Sequence, residues 1–340
     1  MPLRLLICFG TRPEYIKVKS LIENLPGVKT CMTGQHTDLL KHVAVNVSLT
    51  IPETTPNRLN NVCIGILQSS NIFEDVDAVI VQGDTTSALA VALSAVHHGK
   101  KVIHLEAGLR THDTSDPFPE ELNRQLISRI ASVHLCPTEV NRENLRREGI
   151  SRNVHVVGNT GLDAIDRTGC SYGSTVFVTL HRRKNVECMD EWFRALDSAA
   201  EARPSLDFVI AMHPNPDIRK HAYILKHVRI VEPLTHSQTI ECVKTCSFVV
   251  SDSGGLQEET SFLNKRIVIC RENTERPEIL GTSGILCPSP SDLDRCIEVV
   301  SSNPRIDAPC PYGDGAAYKK VISIVENVSF FVTKDGISIK

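Results

Sequence analysis

Short apolar runs alternate with amphipathic stretches along almost the whole chain, and this alternation constrains the fold more than any other feature. Leu5–Phe9, Ala78–Val81, Val102–Leu105, Val133–Cys136 and His155–Val157 read as buried strands, and residues 85–98, 119–131 and 138–148 between them carry helical periodicity. The second half repeats the scheme. Its strands fall at Thr175–Thr179, Phe208–Ala211, Val228–Val231, Phe248–Val250 and Ile267–Ile269, and its helices over 188–202, 236–245, 254–263, 291–301 and 314–327. Alternating strands and helices make parallel sheets covered by helices, so the fold class is α/β. At 340 residues the chain exceeds one ordinary core and suits two domains of similar size. The turn-rich segment Asp166 to Ser174 breaks the periodicity, which gives one domain over 1–165 and a second over 174–311. The tail Ser329–Lys340 reads as an appended strand or a loose end.

The same pattern locates the chemistry. Nearly every polar cluster comes directly after a strand: Thr11-Arg12-Pro13-Glu14, Gly34-Gln35-His36, Gly83-Asp84-Thr85, Glu106-Ala107-Gly108, His181-Arg182-Arg183, His213-Pro214-Asn215 and Asp252-Ser253-Gly254-Gly255. Open α/β sheets bind ligands outside the carboxyl ends of their strands. Two domains that each present such an edge imply a ligand site in a cleft between them.

Composition narrows the function classes. A net charge of -3 gives no electrostatic case for nucleic acid or a membrane surface as partner. No segment approaches the length of a membrane span. The apolar start, Leu3 to Phe9, runs straight into Gly10-Thr11-Arg12-Pro13 without a cleavage pattern, so a cytoplasmic protein is expected. The twelve cysteines are scattered, without C-x-x-C, H-E-x-x-H or a Cys/His cluster at zinc spacing, which favours reduced thiols over disulfides or a metal. No G-x-G-x-x-G follows the first strand, which disfavours a nicotinamide cofactor; no cofactor is expected.

Ser253-Gly254-Gly255 ends a strand and opens a helix. Small residues there let backbone N–H groups approach a phosphate, and the helix dipole favours its charge. The same triplet suits a plain strand–helix turn equally well. Glu258 and Glu259, further into that helix, could reach sugar hydroxyls; Arg276 is a second cation of that half, or one arm of a weak surface ion pair. In the first half Asp84 taken alone reads as a helix N-cap. Glu106 sits at a strand end beside a flexible Ala-Gly turn, and Glu120 and Glu121 open a helix whose first turn favours acids anyway. Three acid sites at neighbouring loop positions suggest a proton-transfer cluster, in which grouped carboxylates push one another's pKa apart. Arg12, Lys17, Arg110, His181, Arg182 and Arg183 supply cations. Arg12 and His181 stand out because each lies at a strand end, one in each half, while His213 suits a structural role as well as a functional one.

Taken in order, the clusters stop being generic. Gly10-Thr11-Arg12-Pro13-Glu14, Thr33-Gly34-Gln35-His36, Gly83-Asp84-Thr85-Thr86, Glu106-Ala107-Gly108-Leu109-Arg110 and Pro119-Glu120-Glu121-Leu122-Asn123-Arg124 are followed by Pro137-Thr138-Glu139, Gly158-Asn159-Thr160, His181-Arg182-Arg183, His213-Pro214-Asn215-Pro216, Asp252-Ser253-Gly254-Gly255, Thr274-Glu275-Arg276-Pro277 and Pro311-Tyr312-Gly313-Asp314. Over residues 3 to about 327 the chain resembles the non-hydrolysing UDP-N-acetylglucosamine 2-epimerase family. The resemblance implies a glycosyltransferase-B-like fold of two Rossmann-like domains with the active site in the interdomain cleft. A C-terminal helix, about 312–328, would pack back on the first domain. It also implies a UDP-sugar substrate and a homodimer. By motif match, Ser253, Gly254 and Gly255 would lie near the diphosphate, Glu259 would hold ribose hydroxyls, and His181, Arg12 and Arg276 would contact the UDP portion. Asp84, Glu106 and Glu120 match the acid/base carboxylates, with His181 counted among the catalytic set and Lys17 in support. Gln35 and His36 match residues that bind a second, activating UDP-sugar in bacterial relatives.

The chain also departs from that pattern. Lys184 follows His181-Arg182-Arg183 where the family usually has Glu, the loop from Thr54 to Asn60 lacks the usual Gly-Gln pair, and Leu234–Thr239 aligns poorly. The same motifs bear on rival functions. A 2-epimerase of UDP-6-deoxy-L-HexNAc sugars is disfavoured by Gly83-Asp84-Thr85-Thr86 and the long Thr111–Phe118 segment, and a hydrolysing epimerase by Glu106-Ala107-Gly108-Leu109-Arg110. A glycosyltransferase of the same fold would need an acceptor.

Overall fold

The computed structural model describes residues 3–36, 43–306 and 308–327, then two short strands, Phe330–Thr333 and Gly336–Ile339, paired antiparallel. Of the expected C-terminal helix and tail, residues 328, 329, 334, 335 and 340 lie outside the described residues. The chain folds as two units, Met1–Ala164 with Tyr312–Lys340, and Ile165–Pro311.

In the first unit β1 (Leu5–Phe9), β2 (Lys29–Met32), β3 (Val47–Ser48), β4 (Ala78–Gln82), β5 (Lys101–Leu105), β6 (Val133–Cys136) and β7 (Val154–Val156) form one sheet. Its order is β3-β2-β1-β4-β5-β6-β7, with every pairing parallel. Its helices are α1 (Arg12–Asn24), α2 (Arg58–Leu67), α3 (Thr86–His97), α4 (Glu120–Ile130) and α5 (Glu139–Arg147). The second unit holds β8 (Thr175–Thr179), β9 (Asp207–Ala211), β10 (Arg229–Val231), β11 (Phe248–Ser251), β12 (Arg266–Ile269) and β13 (Gly284–Leu286), in the order β10-β9-β8-β11-β12-β13 and again all parallel. Its helices are α6 (Arg183–Val186), α7 (Met189–Glu201), α8 (Pro216–Arg219), α9 (His236–Thr245), α10 (Gly254–Phe262) and α11 (Leu293–Ser302). Numbered within each unit, the first six strands of both sheets run 3-2-1-4-5-6, the Rossmann order, so each sheet has a switch point between its first and fourth strands.

The apolar runs fill both faces of each sheet. Leu6 and Cys8 of β1 pack with α2 and α3 through Val62, Ile66, Val91 and Ala95. Leu5, Ile7 and Phe9 point the other way, toward Val18 and Leu21 of α1 and toward Val321 and Val325 of α12 (Ala317–Asn327). That is the period-2 alternation of a strand buried on both sides. Helix α12 is fixed to the first unit by Asp163, whose carboxylate accepts the N–H groups of Ala317 and Tyr318 at its N-terminus and the hydroxyl of Ser20 on α1.

The structure adds β2, β3, β13, α1, α2 and the four-residue helices α6 and α8 to the elements named from sequence. Their own patterns are weak. Helix α2 carries two asparagines and a glycine, and it is held mainly by burial of Val62 and Ile66. The segment read as a linker is fastened to the second unit: Ser171 and Gly173 donate their N–H groups to the carbonyls of Lys244 and Thr245. Lys265, fully buried, donates to the carbonyl of Ser171 and lies 4.0 Å from the centroid of the Tyr172 ring. Burial pushes the thiols of Cys136 and Cys246 up to about 12, which leaves both inert at neutral pH. Among the described residues no helix is long and apolar enough to cross a membrane.

Candidate active site

The switch point of the first unit lies between the loops after β1 and β4, and the sequence clusters converge on it. Thr11 caps α1 and Thr85 caps α3, each side chain accepting a first-turn N–H. Asp84 is therefore not the N-cap that its position alone suggests. Its Oδ2 instead accepts two hydrogen bonds from Arg124, Nε at 2.9 Å and Nη2 at 2.6 Å, and its backbone carbonyl accepts the Asn123 amide at 2.8 Å. Arg124 and Glu121 are buried on the inner face of α4 and pair with each other at 3.0 Å. Glu121 also accepts the N–H groups of Thr111 and His112, so it anchors the preceding loop. Glu120 opens α4 and is half-buried. Two cis peptide bonds, Asp116–Pro117 and Phe118–Pro119, precede it.

Glu106 ends β5. Its Oε2 accepts Lys17 Nζ at 2.5 Å and also the amide of Gln82, the last residue of β4. A Cβ at Gly83 would lie 3.9 Å from that oxygen, so the carboxylate sits against the loop that carries Asp84. The backbone of Glu106 is left-handed, with φ of 68°. The other non-glycine residues with positive φ are Asp75, His112, Asn153 and Asn264, types that tolerate this region; Glu106 alone among the described residues is not. Strain of this kind persists where the surroundings over-determine it, and it clusters at functional sites. Beneath the site, buried His104 donates Nε2–H to the carbonyl of Gly83 at 2.8 Å, and burial pulls its pKa down to about 3, which keeps the ring neutral.

Glu14 links the two loops. It is buried, and its carboxylate accepts the Gly10 N–H, the Thr11 hydroxyl and, from the other loop, the Thr85 hydroxyl at 2.7 Å. Burial outweighs these donors and raises its pKa to about 7. Arg12, the first residue of α1, stands between these anchors and is half-buried. Arg110 is a structural cation: its buried guanidinium grips Glu148 through two hydrogen bonds and also bonds Ser128.

Gln35 and His36 lie beside this switch point. The Gln35 side chain accepts the N–H and the hydroxyl of Ser87 at the start of α3, and its carbonyl accepts Arg58 at 2.6 Å. His36 donates its N–H to the Gly10 carbonyl. Next to them is a cavity of about 940 Å³ lined by Gly34, Leu49, Ile51, Pro52, Thr54 and Arg58, among others.

The switch point of the second unit lies between the loops after β8 and β11. Ser253 caps α10, and Gly254 and Gly255 open it. A Cβ at Gly254 would come within 2.9 Å of Arg276 Nη1, so glycine allows the guanidinium to lie against the helix start. Arg276 is buried and ion-paired with Glu258 at 2.8 Å and with Glu275, so the reading as a weak surface pair is corrected. Arg271 joins the same network through Glu275 and the carbonyl of Asp252. Asp252 itself is fully buried. It accepts the N–H groups of His181 and Arg182 and the amide of Asn185, and its Oδ1 lies 3.3 Å from His181 Nδ1. This favours a proton on Nδ1 and leaves Nε2 of His181 outward. The His213 ring stacks on His181 at 5.5 Å and accepts the Asn215 N–H on Nδ1, a packing role; its pKa is lowered by burial and then by His181. Glu259 bonds His236 Nε2 at 2.7 Å. Lys184, the departure after His181-Arg182-Arg183, forms an exposed pair with Glu272 at 2.7 Å.

Sequence reasoning did not single out Arg124, Asp252, Glu14 or His236 as site residues. Arg124 had a signal, since a cation on the buried stripe of α4, three residues after Glu121, needs an internal partner. Asp252 had the same signal as Glu106, an acid at the end of an apolar strand.

A model of the family described as UDP-N-acetylglucosamine 2-epimerase matches residues 23–326. The UDP-N-acetylglucosamine 2-epimerase of Campylobacter jejuni is 32% identical over 375 residues, covering 95% of this chain and 97% of that protein. The crystal structure of UDP-GlcNAc 2-epimerase from Neisseria meningitidis bound to UDP-GlcNAc is similar with a TM-score of 0.85 at 30% identity, covering 94% of this chain and 99% of that one. The structure of the Methanocaldococcus jannaschii enzyme in complex with UDP-GlcNAc and UDP gives a TM-score of 0.79 at 28% identity, over 95% and 99% of the two chains.

Proposed function

We propose that this chain, which belongs to the UDP-N-acetylglucosamine 2-epimerase family, interconverts UDP-N-acetylglucosamine and UDP-N-acetylmannosamine by eliminating UDP and adding it back. The observation that carries the reading is the carboxylate arrangement after β4 and β5. Asp84 is held by Arg124, and Glu106 by Lys17 on a strained backbone.

The chemistry needs such groups. The C2–H beside an acetamido group is not acidic enough for direct deprotonation. Breaking C1–O leaves its electron pair on UDP and an oxocarbenium-like centre at C1, and C2–H can then pass to a carboxylate. The products are 2-acetamidoglucal and UDP. A proton delivered to the opposite face of C2, with the UDP oxygen returning to C1, completes the epimer. Asp84, Glu106 and Glu120 supply the proton-transfer carboxylates, with Lys17 in support. A positioned general base or acid contributes about 10²–10⁴-fold.

The UDP portion is assigned to the second unit. Ser253, Gly254 and Gly255 offer a helix N-terminus to the diphosphate, with the guanidinium of Arg276 lying against the helix start. His181 and Arg12 add contacts to the departing UDP, and Glu259 takes the ribose hydroxyls. Gln35 and His36 are the candidates for a second UDP-sugar. The homodimer is likewise part of this reading: Leu93 and Val96 of α3 and Leu122 and Leu126 of α4 are exposed apolar residues on two helices packed together. Light scattering should give twice the chain mass.

The function is tested by incubating purified protein with UDP-N-acetylglucosamine and no added cofactor, then separating products by chromatography. UDP-N-acetylmannosamine is the expected product. Free N-acetylmannosamine with UDP, or turnover only with an added acceptor, would replace this reading.

A further inference from the structure

Glu258 and Glu259 are adjacent on α10 but meet different surroundings. Glu258 is buried and ion-paired with Arg276. Glu259 turns toward α9, where its Oε1 lies 2.7 Å from Nε2 of His236. Both members of that pair are partly open to solvent, their side chains 15% exposed for Glu259 and 28% for His236. His236 is itself well placed. It is the first residue of α9, directly after the Thr235 N-cap, and a reciprocal capping box between Thr235 and Gln238 fixes that turn.

A carboxylate that accepts sugar hydroxyls has to be held in one orientation, whereas an unrestrained glutamate samples many rotamers. A single N–H donor on one oxygen removes that freedom and leaves acceptor capacity for a ligand. We propose that His236 is a positioning residue for nucleotide recognition: it holds Glu259 so that the carboxylate accepts the vicinal ribose hydroxyls, and so makes the site select ribonucleotides over deoxyribonucleotides. This rests on the reading of Glu259 as the ribose acceptor. A site built to bond a hydroxyl discriminates against the analogue lacking it, because its polar groups are then left unpaired.

Calorimetry with UDP and 2′-deoxy-UDP on the full chain tests this, using wild type, His236→Leu, His236→Gln and Glu259→Ala. Wild type should bind UDP about tenfold or more tighter than 2′-deoxy-UDP, the effect of one charge-assisted hydrogen bond. His236→Leu should bring that ratio close to one. It should also raise KM for the UDP-sugar about tenfold with kcat changed less than about twofold, the signature of lost uniform binding. His236→Gln, which keeps an N–H donor, should recover most of the selectivity. A role confined to stabilising α9 would lower the melting temperature and leave the UDP to 2′-deoxy-UDP ratio of His236→Leu unchanged, which overturns the proposal. If Glu259→Ala also keeps the wild-type ratio, Glu259 is not the ribose acceptor and the underlying reading fails. If Glu259→Ala abolishes the ratio while His236→Leu preserves it, the positioning role alone fails.

Discussion

The two sheets share one strand order, yet their switch points present different groups. In the first unit the presented group is an acid and its backing is a cation: the Asp84 side chain is 27% exposed and rests on buried Arg124. In the second unit the buried partner is the acid: the His181 side chain, 39% exposed, rests on buried Asp252. Each switch point is also tied across its two loops by a buried carboxylate, Glu14 in the first and Asp252 in the second. One topology thus carries two different edges, which differ in what lies beneath. A buried partner fixes the outward group and sets the local field; in the function proposed above, the first edge would transfer a proton and the second would hold UDP.

Ser253→Trp should break the second edge outright. An indole over the start of α10 covers the backbone donors, and UDP binding by calorimetry should disappear while the fold, by circular dichroism, persists. On the first edge, Asp84→Asn, Glu106→Gln and Glu120→Gln should each lower kcat by about 10²–10⁴ with UDP affinity nearly intact. Loss of UDP binding in all three would mean that the division of labour between the edges is wrong.

Removing the buried backing tests the difference between the two edges directly. Arg124→Met and Asp252→Asn should each destabilise the protein by about 3 kcal/mol in urea melts, since each leaves charged or polar partners uncompensated. They should differ in function, Arg124→Met lowering kcat and Asp252→Asn weakening UDP. Glu14 adds a pH signature. Its folded pKa, about 7, lies above the ordinary 4.5, so the folded state holds the proton more tightly. Its contribution to stability is therefore full below about pH 4.5, falls between 4.5 and 7, and is lost above 7, by about 3 kcal/mol in all. Glu14→Gln should lack that fall; parallel stability–pH curves for variant and wild type would contradict it. The smallest effect belongs to Lys184→Ala, which removes an exposed pair with Glu272 and should shift stability by less than about 1 kcal/mol.

The long apolar runs made the fold legible in sequence. β1, β4, β8 and β11, the four strands that build both switch points, are buried along all or most of their length, and the motifs follow them immediately. Elements held by tertiary contact were not legible, such as α2 with its asparagines and the two-residue β3. At the site, sequence order gave the outward residues but not what lies beneath them. That Asp84 rests on an arginine 40 positions away, or that Arg276 is buried against Gly254, depends on three-dimensional packing that no local pattern encodes. The same holds for Arg110, whose partner Glu148 lies 38 positions on.

The central claim is that the first edge moves a proton at C2 while the second holds UDP, and proton NMR of the protein with UDP-N-acetylglucosamine in D2O tests it most directly. The account predicts deuterium at C2 together with UDP-N-acetylmannosamine signals, and loss of both in Glu106→Gln. Epimer formed with protium retained at C2, or no exchange at all, would contradict it.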